Sequence, residues 1–210
     1  MLFGPPASGK GTQGRRLASE LGLAYLTGAL LREHVENGTA LGLQAKPILD
    51  RGEYLPDGLM CDVIGDWLRR QTAGWVLDGF PRSLPQAETL DGWLAEWGHA
   101  LDAALFLDVP FEELLERIEA RVECPDCRWS GQRSQTTGGG RCPECGGPTA
   151  SRDDDNEENF RSRHRQFEKL TLPVVSHYQR KEVLVSVDAS RPKDEVTAEL
   201  LARLKVAAED

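Results

Sequence analysis

The most constraining stretch of this chain is its opening, Gly4-Pro5-Pro6-Ala7-Ser8-Gly9-Lys10-Gly11-Thr12. A glycine, four residues, a second glycine and a lysine make the spacing of a phosphate-binding loop. Met1-Leu2-Phe3 before it reads as a short buried strand, and Leu17, Leu21 and Leu23 after it recur at roughly helical spacing. Small residues let backbone N–H groups turn inward around an anion, and the N-terminus of the following helix adds partial positive charge. Lys10 then reaches the outer phosphates. The usual pattern has Ser or Thr directly after the lysine; here Gly11 stands there and Thr12 follows. The competing reading is a tight strand-to-helix turn with no ligand.

Behind the loop the chain alternates strand and helix patterns without an internal repeat. Short apolar runs at 24–26, 75–78, 104–109 and 183–187 are each followed by a helical pattern, which predicts a parallel sheet with crossover helices. Ligands of such sheets sit at the carboxyl ends of the strands. The loop, Thr27-Gly28 and Asp78-Gly79-Phe80-Pro81-Arg82 all begin there. Two segments break the rhythm: a helical one over 27–56, punctuated by Gly38 and Gly52, and a cysteine-bearing one over 121–155. Both read as insertions over the active face. Asp154 with Glu157 predicts a helix-starting box for a helix over 156–181, which Pro173 should kink or split.

The cysteines are Cys124-x2-Cys127, fourteen residues, then Cys142-x2-Cys145, with Cys61 alone in an apolar stretch and read as core. Two such knuckles supply four thiolates in a tetrahedron, the set that structural zinc takes, with no position left open to activate water. An odd cysteine count with two close pairs favours metal over disulfides and points to a reducing compartment. Disulfides or free thiols are the competing reading. Asp78, at a strand end beside the phosphate loop, is placed to hold Mg²⁺ directly or through water. Gly79 allows close backbone approach, and Pro81 aims Arg82; a helix-capping Asp with a surface Arg is the plainer alternative.

Arg32, Arg82, Arg117, Arg121, Arg152 and Arg163 fall near strand ends, on the insertions or on flanking helices. Phosphoryl transfer needs cations around the moving group and exclusion of water more than covalent help. Arg15, Arg16, Arg69 and Arg70 read as surface charges, and His34, His99, His164 and His177 take no role. A net charge of −9, from 25 basic against 34 acidic residues, argues against a nucleic-acid partner, and the acidic cysteine segment adds to that. No run approaches the ~18 apolar residues of a membrane span, and no leader precedes the loop strand, so the cytoplasm and no membrane partner are expected.

Together these motifs resemble the bacterial adenylate kinases of the zinc-lid type, from Gly4 to about Val196. The resemblance rests on the loop through Gln13, Thr27-Gly28 with Leu31-Arg32, Asp78 to Arg82 with Pro85-Gln86-Ala87, Asp108-Val109-Pro110, the four cysteines, and Arg152-x-Asp154-Asp155. It implies an α/β P-loop nucleoside-monophosphate-kinase fold with a five-stranded parallel sheet flanked by helices. A core of 1–26, 57–120 and 156–210 would carry an AMP-binding subdomain at 27–56 and a zinc-binding lid at 121–155. The implied reaction is reversible, Mg-dependent transfer from ATP to AMP, giving two ADP.

By the same resemblance Ala7, Ser8, Gly9, Lys10, Gly11 and Thr12 would surround the ATP phosphates, with Arg117 near the adenine and Arg121 closing on the phosphates. Thr27, Arg32, Gly79, Arg82, Gln86, Arg152 and Arg163 would hold AMP, Gln86 reading the adenine edge. Lys10, Arg82, Arg121, Arg152 and Arg163 would be catalytic, Asp78 would organise Mg²⁺ through water, and Cys124, Cys127, Cys142 and Cys145 would hold Zn²⁺. A monomer is the expected state. The chain departs from the family pattern at Ala7 (usually Gly), Ala29 (usually Asp), Val122 (commonly Arg) and in its short first strand. Two alternatives stay open: a kinase for UMP or CMP, and a nucleotide-binding paralogue without turnover. A zinc-ribbon nucleic-acid module is disfavoured by charge.

Overall fold

Each short apolar run becomes a parallel strand. The computed structural model describes residues 1–50, 54–127, 129–152 and 155–207, with the side chains of Ala29, Arg32 and 205–207 outside the description. The strands are β1 (Leu2–Phe3), β2 (Ala24–Leu26), β3 (Trp75–Leu77), β4 (Ala104–Asp108), β5 (Arg121–Glu123), β6 (Ser130–Gln132) and β7 (Leu184–Asp188). The α-helices are α1 (Lys10–Leu21), α2 (Ala29–Glu36), α3 (Ala40–Leu49), α4 (Asp57–Arg69), α5 (Leu84–Glu96), α6 (Phe111–Ala120), α7 (Glu157–Gln166), α8 (Leu172–Arg180) and α9 (Lys193–Ala207).

β1, β4 and β7 form one parallel group in that order, and β2 pairs in parallel with β3. A single bridge between Leu2 and Asp78 joins the groups, giving the order β2-β3-β1-β4-β7. Successive residues of a strand face opposite sides. Phe3, Leu77 and Ala104 therefore pack with Ile64, Leu90, Val174 and Tyr178 from α4, α5 and α8. Leu2, Val76 and Leu105 pack on the other face with Leu17, Leu114, Phe160 and Leu200 from α1, α6, α7 and α9. Burial on both faces is why the strands read as unbroken apolar runs. Cys61 is buried on α4, as read from its apolar neighbours.

Helices α2 and α3 have a small core of their own, in which Leu31 and Ala45 meet Leu55 and Val63. Thr39 caps α3 by accepting from Gly42 N at 3.0 Å. Gly52, expected as punctuation, lies outside the described residues. The antiparallel pair β5–β6 forms a separate ribbon, extended by a bridge from Glu123 to Ala150.

The helix expected over 156–181 is broken. It runs as α7, one π-helical turn over Phe167–Thr171, then α8 with Pro173 in its first turn. Proline has no N–H to close an α-helical bond, and its ring crowds the preceding turn, so the backbone widens there. The start of α7 also corrects the sequence reading. Asn156 is the cap, its side chain accepting from Asn159 N at 2.9 Å, while Glu157 pairs with Arg161 at 2.8 Å. Asp154, expected to start that box, lies outside the described residues. Among the described residues no helix is long and apolar enough to cross a membrane.

Candidate active site

The carboxyl ends of the parallel strands open into a cavity of about 900 Å³. The opening loop forms one wall. Gly9 caps α1 in the left-handed conformation (φ 95°) and brings no side-chain acceptor, so the first amides of α1 are left to an incoming anion. Ser8 is buried, and its Oγ has no hydrogen-bond partner among the described residues. Lys10 Nζ folds back over the loop and donates to Gly4 O at 2.7 Å and Pro5 O at 2.9 Å.

Ala7 lies at φ 67°, in the left-handed region, which explains the glycine usual at this place. Ala7→Gly should raise stability by roughly 0.5–1 kcal/mol, the relief of about 1–2 kcal/mol of steric strain less the extra chain entropy of glycine. A denaturant melt with an unchanged or lower midpoint would contradict this.

Burial lowers the Lys10 pKa to about 8; the nearby Asp78 charge opposes the shift, and Arg82, Arg163 and Arg121 reinforce it. Lys10 thus loses its proton as pH rises past about 8, whereas phosphate oxygens favour the charged form. Nucleotide binding should therefore take up protons near that pH and weaken above it. Calorimetry in buffers of different ionisation enthalpy reads this directly, and zero uptake would refute it.

Arg82 is held from four sides. Its Nε donates to Gly79 O at 2.7 Å, its guanidinium lies over the Tyr54 ring at 4.6 Å, its N–H donates to Gln86 Oε1 at 2.8 Å, and its carbonyl accepts from Thr171 Oγ1 at 3.1 Å. Gly79 has φ 89°, a backbone conformation that favours glycine, and a Cβ there would stand 2.7 Å from Arg82 Nη2 and displace the guanidinium from its place. The π turn is what carries Thr171 to this loop.

The other arginines carry acidic partners. Arg121 makes a two-pronged pair with the buried Asp155, Nε to Oδ2 at 2.6 Å and Nη2 to Oδ1. Arg117 donates to Glu113 Oε1 at 2.6 Å and to Ala189 O at 2.7 Å. Arg152 pairs with Glu123 at 3.3 Å. All three line the cavity with Arg163, Thr27, Asp78, Gly79 and the loop from Ala7 to Thr12. The side chain of Arg32 lies outside the described residues.

Gln86 is set back from the cavity. It is buried, its Nε2 donating to Asp57 Oδ1 at 2.7 Å and its Oε1 taking the Arg82 N–H, which leaves one N–H and one lone pair for a ligand. Arg15 is exposed, as the sequence reading has it, and stands at the cavity edge with the half-buried Arg16. Arg16 is tied to Asp194 at 2.6 Å, since α9 packs against α1. Sequence reasoning missed Tyr54, Glu113, Asp57 and Thr171, and it had Asp155 in the Arg152-x-Asp154-Asp155 motif without its partner Arg121. Only Glu113–Arg117 carried a signal, the i,i+4 spacing of a helical ion pair.

Asp78 offers a hard carboxylate at the cavity wall, and among the described residues its Oδ1 takes no hydrogen bond. Such a donor fits magnesium and its waters. In the ribbon, the Sγ atoms of Cys124, Cys127, Cys142 and Cys145 all lie within 4.8 Å of one another, as free thiols. Cys124 to Cys145 and Cys127 to Cys142 are 3.5 Å apart, near the ~3.8 Å edge of a tetrahedron built on Zn–S bonds of about 2.3 Å. The group can hold a metal ion.

A phosphate loop at the mouth of a parallel sheet, a group of cations and, among the described residues, an Asp78 oxygen without a hydrogen bond define the class: an α/β P-loop phosphotransferase. The family model described as adenylate kinase matches residues 2–183. The chain is 40% identical to the adenylate kinase of Methanocella arvoryzae, covering 98% of this chain and 97% of that one. It is 39% identical to the adenylate kinase of Thermodesulfovibrio yellowstonii, covering 98% of each. A further adenylate kinase, from Methanosarcina barkeri, is 40% identical over 98% of this chain and 97% of its own. The chain belongs to the adenylate kinase family, and so to the nucleoside monophosphate kinases.

Proposed function

We propose that the chain catalyses reversible phosphoryl transfer from magnesium-ATP to AMP, giving two ADP. One observation carries the reading: Lys10, Arg82, Arg121, Arg152 and Arg163 line a single cavity with Asp78 at the carboxyl ends of the strands. Lys10 and the loop from Ala7 to Thr12 hold the donor phosphates, with Arg117 beside the donor base. Thr27, Arg32, Gly79, Arg82 and Gln86 hold AMP. Arg121, Arg152 and Arg163 gather on the phosphoryl group as it moves, where charge stabilisation and positioning supply the rate.

Magnesium bound with the donor neutralises phosphate charge, and Asp78 is the residue that would hold it through water. Residues 27–56 and 121–155 act as AMP-binding subdomain and lid on a core of 1–26, 57–120 and 156–210, and their closure keeps water from taking the phosphate. The cysteine group holds zinc, which fixes the lid's shape without chemistry of its own. The reading includes a monomer in the cytoplasm with no nucleic-acid or membrane partner. Free thiols suit a reducing compartment, and the net charge of −9 disfavours polyanions.

A second reading, another monophosphate as acceptor, draws on Gln86, whose amide is half committed to Asp57 and Arg82. The test is ADP formation from Mg-ATP with AMP, UMP, CMP, GMP or water as acceptor. Turnover with AMP alone supports the proposal. Preference for a pyrimidine would keep the mechanism and replace the acceptor. ATP binding without turnover on any acceptor would leave a nucleotide-binding paralogue.

A further inference from the structure

The carboxylate assigned to magnesium is not held by the phosphate loop. Its partner is a tyrosine on the neighbouring strand. Tyr25 OH donates to Asp78 Oδ2 at 2.9 Å. The same hydroxyl lies 3.4 Å from Gly11 O, a longer alternative for its one proton. Tyr25 pairs with Val76 across the β2–β3 ladder, and Asp78 N donates to Leu26 O at 2.8 Å, so backbone bonds hold the two residues together.

The ring itself is clamped. A Cβ at position 14 would stand 2.5 Å from Tyr25 Cε2 and 2.9 Å from its Cζ, so α1 can lie against the ring only because Gly14 has no side chain. Helix α1 thus presses the phenol toward Asp78. At Gly11, a Cβ would meet Asp78 Oδ2 at 3.8 Å, Arg15 Nη1 at 3.9 Å and Tyr25 OH at 4.0 Å. Loop, carboxylate and phenol therefore converge on one point at the start of α1.

We propose that Tyr25 is a positioning residue for Asp78, fixing its carboxylate so that Oδ1 faces the magnesium waters at the phosphate loop. This deepens the reading of Asp78 given above and rests on it. A neutral donor aligns a carboxylate without cancelling its charge, which a lysine or arginine in the same place would do. The phenol stays neutral, because burial, and then the Asp78 charge, push its pKa up. Of the described acids lining the cavity, Glu113 and Glu123 are tied to Arg117 and Arg152, Glu144 is an exposed residue of the cysteine segment, and Asp78 is the acid whose charge bears on Lys10.

The test uses Tyr25→Phe and Asp78→Ala in the full chain. Mn²⁺ is titrated into the enzyme–ADP complex and the free ion followed by paramagnetic resonance, alongside the Mg²⁺ dependence of ADP formation. Tyr25→Phe should raise the metal dissociation constant on the order of tenfold, the low end for loss of an outer-shell partner, with the KM for AMP unchanged. If Asp78→Ala weakens metal binding and Tyr25→Phe does not, the inference fails and the magnesium reading stands. If Asp78→Ala leaves metal binding untouched, the magnesium reading fails and takes the inference with it. A lower melting temperature in Tyr25→Phe with parental metal affinity would mark Tyr25 as purely structural and overturn the proposal.

Discussion

Lys10→Ala and Arg82→Ala should each lower turnover by roughly 10³–10⁵-fold, the range that a transition-state cation contributes to phosphoryl transfer. Among the described residues Lys10 is the ammonium whose Nζ lies against the loop carbonyls, and on the proposed function an alanine there would leave the outer phosphates without that counter-charge. Arg82 is fixed by Gly79, Tyr54, Gln86 and Thr171, contacts of the protein itself, so its loss should remove a charge that needs little reorganisation at the moment of transfer. Both substitutions should lower kcat and kcat/KM together, the sign of an interaction made in the transition state. Steady-state ADP formation measures it. Near-parental rates in both variants would sink the assigned mechanism.

Cys142→Ser should act on stability instead of chemistry. Cys142 and Cys124 are buried while Cys127 and Cys145 are exposed, so the buried pair anchors the metal group to the ribbon. A structural zinc site is assembled and folded in one step, and removing one thiolate releases both. The ribbon should then open, with bound metal falling well below one per chain. A loss of about 3 kcal/mol corresponds to a melting temperature lower by about 6–12 °C in a chain of this size. Turnover at low temperature should remain within a few-fold of the parent. Lost turnover with unchanged melting and metal content would show that the cysteines do not hold a structural ion.

Features set by neighbours in sequence could be read in advance. The loop, the two cysteine knuckles and the strand-end Asp78 are local patterns in which spacing alone carries the chemistry. The strands were legible because both faces are buried, which turns each into an apolar run. What escaped depends on residues far apart in the chain. Tyr25 and Asp78 are 53 positions apart, Arg121 and Asp155 are 34, and Thr171 and Arg82 are 89. No spacing rule links such pairs before the topology is known. Pro173 announced a break, but not that the break would be a π turn aiming a threonine at the Arg82 loop. The cap of α7 was misplaced because Asp154 and Asn156 are both good cap residues, and only the backbone decides between them.

The paired arginines have a consequence for selectivity. Arg121, Arg117 and Arg152 meet carboxylates of the protein itself. An anion that reaches these three arginines must exchange with their internal counterions, whereas Lys10 meets only loop carbonyls. A small anion such as orthophosphate reaches one or two arginines at a time and gains little by the exchange. A nucleotide anchored by its base and loop contacts spans several at once and shifts the whole set. The same exchange runs backward when product leaves, since each carboxylate stands ready to recapture its arginine. The expected outcome is that orthophosphate competes only weakly with nucleotide, which inhibition of ADP formation by added phosphate would measure.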